Sequence, residues 1–208
     1  MKKLLIITGP QGSGNHMWSK IFGVHKDVHG WSALQDTYWV GHDQEPFADC
    51  WRDPSLLKQF DWSHSNHFVT SVSCPYMDNG EAKIPNLVRF AAEAMGCGLQ
   101  VEVAVIGRDR NVLGYQESRV RGQPTYTTAL EEFEKIQTWN LHYLSFELLQ
   151  LYRGSYLQQL SKILDFPIDY RNPKIQEILA EDANQKYFTP IEHHWVDDLA
   201  KQTSRKWR

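Results

Sequence analysis

The chain has 208 residues, 41% hydrophobic and 23% charged, with a formal net charge of −3. That length suits one full-sized domain and is short for two. The composition is ordinary for a soluble globular protein, and the slight negative charge excludes a strongly basic nucleic-acid footprint while leaving room for local basic patches.

Met1-Lys2-Lys3 followed by apolar residues has the form of a signal-peptide start. The run ends at Gly9-Pro10, however, too short for a signal core or a membrane span. Leu4 to Thr8 instead suits a strand buried on both faces of a parallel sheet. Asn15 to Phe22 reads as a helix, with Met17, Trp18, Ile21 and Phe22 on one side. Residues 24–66 are rich in His, Trp and Asp, and their periodicity is poor. Within them, Asp53-Pro54 starts a short helix reaching Phe60. "FVTSVS", Phe68 to Ser73, is a β-branched run ended by Cys74-Pro75 and reads as a second strand.

Pro85 opens a helix, "PNLVRFAAEAMG", with Leu87, Phe90, Ala91 and Ala94 on one face and Gly96 or Gly98 at its end. "VEVAVI", Val101 to Ile106, is a third strand, and a helix follows from about Asn111 to Val120. Thr128-Ala129-Leu130-Glu131 has capping-box spacing, which predicts an amphipathic helix carrying Leu130, Phe133, Ile136 and Trp139. "LHYLSF", Leu141 to Phe146, reads as a fourth strand. "SYLQQLSKIL" reads as a helix with Leu157, Leu160 and Leu164 facing inward. The remainder looks helical or irregular. Strands alternating with helices argue an α/β fold, a central parallel sheet covered on both faces.

The three cysteines, Cys50, Cys74 and Cys97, are odd in number and widely spaced, which suggests reduced thiols and a cytoplasmic setting. The chain also carries 8 Trp, 9 Tyr, 9 Phe and 9 His. Two readings stand for the aromatic rings: a large core, or a core with a few rings lining a ligand cleft.

The segment "ITGPQGSGNHMW" joins the first strand to the first helix. Backbone N–H groups at a helix start have no acceptor within the helix, and the helix dipole adds partial positive charge there. Gly9, Gly12 and Gly14 let the backbone curl around an anion. Gly9-x4-Gly14 has Walker A spacing, but Asn15 replaces the lysine and His16 the hydroxyl residue that holds magnesium. The plain alternative is a glycine turn between a strand and a helix. Its place at the carboxyl end of a strand favours ligand binding.

Three segments carry a family resemblance. "GPQGSGNHMWSKIF" resembles the 5′-phosphosulfate loop of sulfotransferases, with Ser13-Gly14-Asn15-His16 on S-G-T-T and the loop one residue longer. "VEVAVIGRDRNVLGYQESR" is similar to the family's strand-turn-helix segment whose arginine and serine bind the 3′-phosphate of PAPS. Arg108 stands at the strand end; Ser118 and Gln116 both lie near the serine position. "LHYLSFELLQLYRGSYLQQLSKILDFPID" is similar to the family's strand ending in Y-E-D-L and the helix after it. The resemblance covers roughly residues 1 to 170 and implies a P-loop NTPase-like three-layer fold.

The chain also departs from the family. Gln11 or Gly12 replaces the loop lysine or arginine. "TSVSCPY" puts Ser73 where the catalytic histidine of T-H-L-P stands, and serine is a poor general base at neutral pH. His16, as imidazolium, would partly replace the missing cation and act as the catalytic residue. His29, His42, His64, His67, Asp36 and Asp43 fall in the stretch where an acceptor pocket often forms. Arg119 and Arg121 read either as phosphate clamps or as a solvated helix face. His193-His194, near Glu192 and Asp197, lack convincing metal-ligand spacing.

The resemblance therefore implies sulfuryl transfer from PAPS to a hydroxyl or amine of a small-molecule or glycan acceptor. Gln11, Gly12, Ser13, Gly14, Asn15 and His16 would hold the 5′-phosphosulfate, and Arg108 with Ser118 the 3′-phosphate. No metal, nucleic acid or membrane is expected. Two alternatives remain open: a nucleotide kinase-like phosphotransferase, and a non-catalytic module that binds a nucleotide or anion.

Overall fold

The computed structural model describes residues 1–37, 40–114, 125–137 and 139–180. Strand β1 (Lys3–Pro10) leads through the glycine loop into helix α1 (Asn15–Gly23). A two-residue strand β2 (Val28–His29), short 3-10 turns, helix α2 (Ala48–Arg52) and the 3-10 helix Pro54–Gln59 follow. Strand β3 (His67–Cys74) runs into a hairpin of β4 (Tyr76–Asp78) and β5 (Glu81–Lys83), then helix α3 (Leu87–Gly96) and strand β6 (Gln100–Gly107). Helix α4 starts at residue 110 and is described to residue 114. Helix α5 (Thr125–Glu134), strand β7 (Leu141–Ser145), helix α6 (Phe146–Ile163) and helix α7 (Pro173–Ala180) complete the described chain.

Five strands form one parallel sheet in the order β2-β3-β1-β6-β7. β1 is central. It pairs with β3 on one side, Lys3 opposite His67, and with β6 on the other, Lys3 opposite Gln100. A strand in that position is buried on both faces, which explains its unbroken apolar run. Leu5 and Ile7 point into a core with Trp18, Phe22, Leu157 and Leu160 of α1 and α6. Leu4 and Ile6 point into a second core with Phe47, Trp51, Leu87 and Phe90 on the opposite face. The result is an α/β three-layer architecture around a central parallel sheet, as the alternation of strands and helices implied.

The structure moves several boundaries. α3 starts at Leu87 because the Asn86 side chain accepts from the Arg89 N–H at 2.9 Å. α5 already begins at Thr125, so Thr128 is interior to the helix rather than its cap. The helix stops at Glu134, and Ile136 and Trp139 reach the core from the turns after it. β7 ends at Ser145, whose hydroxyl caps α6 by accepting from Leu148 N–H. α6 is longer than predicted and is broken at Arg153 (φ 43, ψ −120), so "SYLQQLSKIL" is its second half.

The β4–β5 hairpin is a new element. Its turn residues Asn79 and Gly80 have φ of 51 and 84. Asn-Gly flanked by short extended runs is a strong hairpin signal. Cys50, Cys74 and Cys97 are free thiols. Among the described residues, no helix is long and apolar enough to cross a membrane.

Candidate active site

The loop after β1 lies at the carboxyl edge of the sheet. Gly12 and Gly14 adopt φ of 83 and 112, a region that side chains rarely enter. Ser13 N–H closes a turn onto Pro10 O at 3.1 Å, and Trp18 N–H to Gly14 O begins the helical ladder. The amides of Asn15 and Met17 lie ahead of that first bond and have no acceptor within the helix. The loop side chains turn inward. Ser13 Oγ packs over the Cα of Gly9, where a Cβ would collide with it. Asn15 Nδ2 donates to Ser73 Oγ at 2.9 Å, tying the loop to the end of β3.

The Ser73 hydroxyl, near the carboxyl end of β3, thus accepts from the loop asparagine. Gln11 Oε1, Ser13 Oγ and Asn15 Oδ1 are buried without a hydrogen-bond partner among the described residues. Such orphaned groups are scarce in folded proteins and need a reason.

The cation comes from the neighbouring strand. β6 pairs with β1, and Arg108, just past its end, donates through Nη1 to the carbonyl oxygen of Gly12. Its guanidinium carbon lies 4.5 Å from the centre of the Phe146 ring. Phe146 opens α6, and its ring edge also faces Gly14. The aromatic face and the loop carbonyl together fix a permanent positive charge at the glycine loop. A loop of backbone amides with two left-handed glycines and an arginine fits a phosphate- or sulfate-type anion.

His16 is not that cation. Burial lowers its pKa, and nearby Lys20 acts in the same direction, against the hydrogen bond to Val40. Its Nε2 lies 3.2 Å from Val40 O. A carbonyl only accepts, so Nε2 carries the proton and Nδ1 is the basic nitrogen. The His16 ring stands 4.9 Å from Trp31 and 4.8 Å from His42, centre to centre. Burial, with His16 beside it, drops His42 to about 4. Both imidazoles are therefore neutral near pH 7.

Of the other residues singled out, only Asp43 joins His42 near the loop. His29 stacks on His64, with ring centres 5.0 Å apart, against the aromatic cluster of Phe60 and Phe68. His67 is at the opposite, amino end of β3. Asp36 pairs with Lys174 at 2.9 Å. Arg110 sits over the Tyr126 ring. Ser118, Gln116, Arg119, Arg121, Glu192, His193, His194 and Asp197 lie outside the described residues.

Beside the loop is a cavity of about 350 Å³ whose wall includes His42, Asp43, Glu45, Arg52, Ser71 and Asp78. His42 belongs to both places: it lines this cavity and touches the His16 ring. Asp78 is held by Arg52 at 2.8 Å and Lys83 at 2.6 Å, which keep its carboxyl below the usual range.

Glu45 is buried, 4% exposed, and burial pushes it up to about 8 against the hydrogen bonds that favour its charged form. Thr70 Oγ1 donates to Glu45 Oε1 at 2.6 Å, and Trp51 Nε1 donates to Thr70 Oγ1 at 3.0 Å. The N–H groups of Ser71 and Phe47 complete its shell at 3.3 and 3.0 Å. Sequence reasoning missed Glu45, Phe146 and Lys20. Lys20 follows His16 by one helical turn and is buried, 5% exposed. No local pattern announces a buried carboxyl in an aperiodic stretch.

The loop, its arginine and the adjoining cavity lie together at the carboxyl edge of an α/β sheet. No protein-family model and no curated protein matches the chain. Among solved structures it is similar to mouse sulfotransferase SULT7A1 complexed with PAP, at TM-score 0.44 and 8% identity over 88% of this chain and 65% of that one. It is also similar to retinol dehydratase in complex with androsterone and inactive cofactor PAP, at TM-score 0.39 and 13% identity over 85% and 63%. The chain spans just under two thirds of the length of either protein.

Proposed function

We propose that the loop after β1 binds the phosphosulfate end of PAPS, and that the sulfuryl group passes to a hydroxyl or amine in the neighbouring cavity. The observation that carries this reading is the Arg108 guanidinium, fixed between the Gly12 carbonyl and the Phe146 ring. It supplies a cation to a loop that lacks the usual lysine. A transferring sulfuryl group bears less negative charge than a γ-phosphoryl group. One arginine with backbone amides matches it better than it matches Mg-ATP, for which Asn15 and His16 are the wrong residues.

Catalysis in such a site rests on placement and charge. The loop amides and Arg108 hold the anion, Asn15 ties the loop to β3, and His42 forms the wall between the anion and the acceptor. When bound, PAPS supplies the sulfuryl group and leaves as PAP. Arg108 with Ser118 as the clamp of its 3′-phosphate belongs to the same proposal. The acceptor is a small molecule or the end of a glycan, because the cavity holds about 350 Å³.

The test is calorimetric binding of PAP and of ATP, with and without magnesium, to the wild type and to Arg108→Ala. Metal-independent PAP binding that weakens at least tenfold in Arg108→Ala supports the reading. Magnesium-dependent ATP binding with no response to PAP overturns it and favours a phosphotransferase.

A further inference from the structure

The cavity wall carries one group that the anion loop does not explain. Glu45 is held by Thr70, Ser71 and Phe47, from β3 and from its own loop. A carboxylate has about four lone-pair positions. Thr70 and Ser71 fill both on Oε1, and Phe47 fills one on Oε2. One position on Oε2 remains among the described residues. The cavity that Glu45 lines is shared with His42, whose ring touches His16 at the start of α1. A buried carboxyl with an open lone-pair position on a cavity wall is a polar spot in an otherwise packed region.

The spot is close to the anion loop. Ser71 pairs with Ile7, and two residues on, Ser73 pairs with Gly9 and accepts from Asn15. Two residues of strand span about 7 Å. An acceptor molecule resting on Glu45, which accepts from the Ser71 N–H, can therefore direct its oxygen toward an anion held at Gly12 to Met17.

On the proposed function above, we propose that Glu45 is the general base of the transfer. As the acceptor oxygen forms its bond to sulfur, its proton passes to the Glu45 carboxylate. The bond between sulfur and the bridging phosphate oxygen breaks, and the electron pair leaves with PAP. Thr70, held in turn by the Trp51 indole, fixes the carboxylate plane.

The other charged and titratable groups around Glu45 do not take this role. His42 is neutral and weakly basic, and Asp43 is exposed at the rim. Arg52 and Asp78 are paired with each other. Burial raises the Cys50 thiol to about 11, with Glu45 itself contributing, and Tyr76 is likewise raised. Glu45, pushed up to about 8, is the group that changes charge in the neutral to alkaline range.

The test compares wild type with Glu45→Gln, which keeps shape and most hydrogen bonding. PAP affinity is measured by calorimetry. Turnover is measured as PAP release from PAPS, with benzyl alcohol or water as the acceptor, from about pH 6.5 to about 9.5. The expected result is PAP affinity within about twofold of wild type, a rate lower by about a hundredfold, and loss of a rising limb near pH 8. An unchanged rate and profile in Glu45→Gln overturns the assignment while leaving the anion site standing. A flat wild-type profile overturns it without need of the variant. Loss of PAP binding in the wild type itself sinks the proposed function and this inference with it.

Discussion

The Arg108 guanidinium donates to the carbonyl oxygen of Gly12 and lies 4.5 Å from the centre of the Phe146 ring. The arginine thus does two jobs at once: it fastens the end of β6 to the loop after β1, and it brings charge to that loop. Lysine would keep the charge but lose the planar face. Arg108→Lys is expected to weaken PAP binding by about tenfold, and Phe146→Ala by a similar factor. Titration calorimetry checks both, and wild-type affinity in Arg108→Lys would show that a bare point charge suffices.

Gly14 has φ 112, and a Cβ there would stand 3.3 Å from Phe146 Cδ2. Gly14→Ala therefore combines backbone strain with a tight contact. It should cost about 1–3 kcal/mol of stability. Gly96, with no atom within 4 Å of an added Cβ and no positive φ, is the control, and Gly96→Ala should leave stability nearly unchanged. Urea midpoints of the two variants give the comparison.

Thr70 accepts from the Trp51 indole and donates to Glu45. Thr70→Val keeps the volume but leaves the indole N–H unpaired and deprives the carboxyl of one donor. The expected loss is about 2 kcal/mol or more, because unsatisfied buried groups bear their full desolvation cost. Thr70→Ser should recover most of it. Equal stability of the valine and serine variants in denaturant would remove the hydroxyl from the account.

Two buried groups make stability depend on pH in opposite directions. Glu45 is raised to about 8 in the folded chain from an ordinary 4.5, so folding favours its protonated form. Its contribution is complete below 4.5 and is lost as pH rises through 8. His42 is lowered to about 4 from 6.5, so folding favours its neutral form. That contribution is present above 6.5 and is lost as pH falls through 4. Melting temperature across this range should therefore fall on the alkaline side in wild type but not in Glu45→Gln. His42→Gln should flatten the acid side instead. Identical curves for all three proteins would contradict both assignments.

The parts of this molecule that were legible in its sequence are those with a local cause. β1, β3 and β6 are apolar or β-branched runs buried in a parallel sheet, and their order with the intervening helices follows from alternation. The strand-loop-helix turn after β1 was legible because glycines, strand and helix are contiguous. Arg108 was visible only through the resemblance, and its contact with Gly12 depends on β6 lying beside β1.

Glu45 was not legible for a different reason. Its burial comes from Thr70 and Phe47 closing around it, and nothing in the neighbouring residues carries a period that signals this. The surroundings of His16 were not legible for the same cause: Trp31, Val40 and His42 pack around it from a stretch without regular pattern. The Asn79-Gly80 hairpin, by contrast, had a signal that was passed over.

The central place of β1 has a consequence for the order in which the molecule is made. The first strand of the chain has no sheet neighbour until β3 arrives at His67, and no second neighbour until β6 arrives at Gln100. Contacts so distant in sequence form late, because a long loop must be closed before they return any stabilisation. A nascent chain that ends before Gln100 carries every glycine of the loop after β1, yet lacks the strand edge and the guanidinium that shape it. The loop after β1 is thus completed only when β6 and Arg108 have followed it.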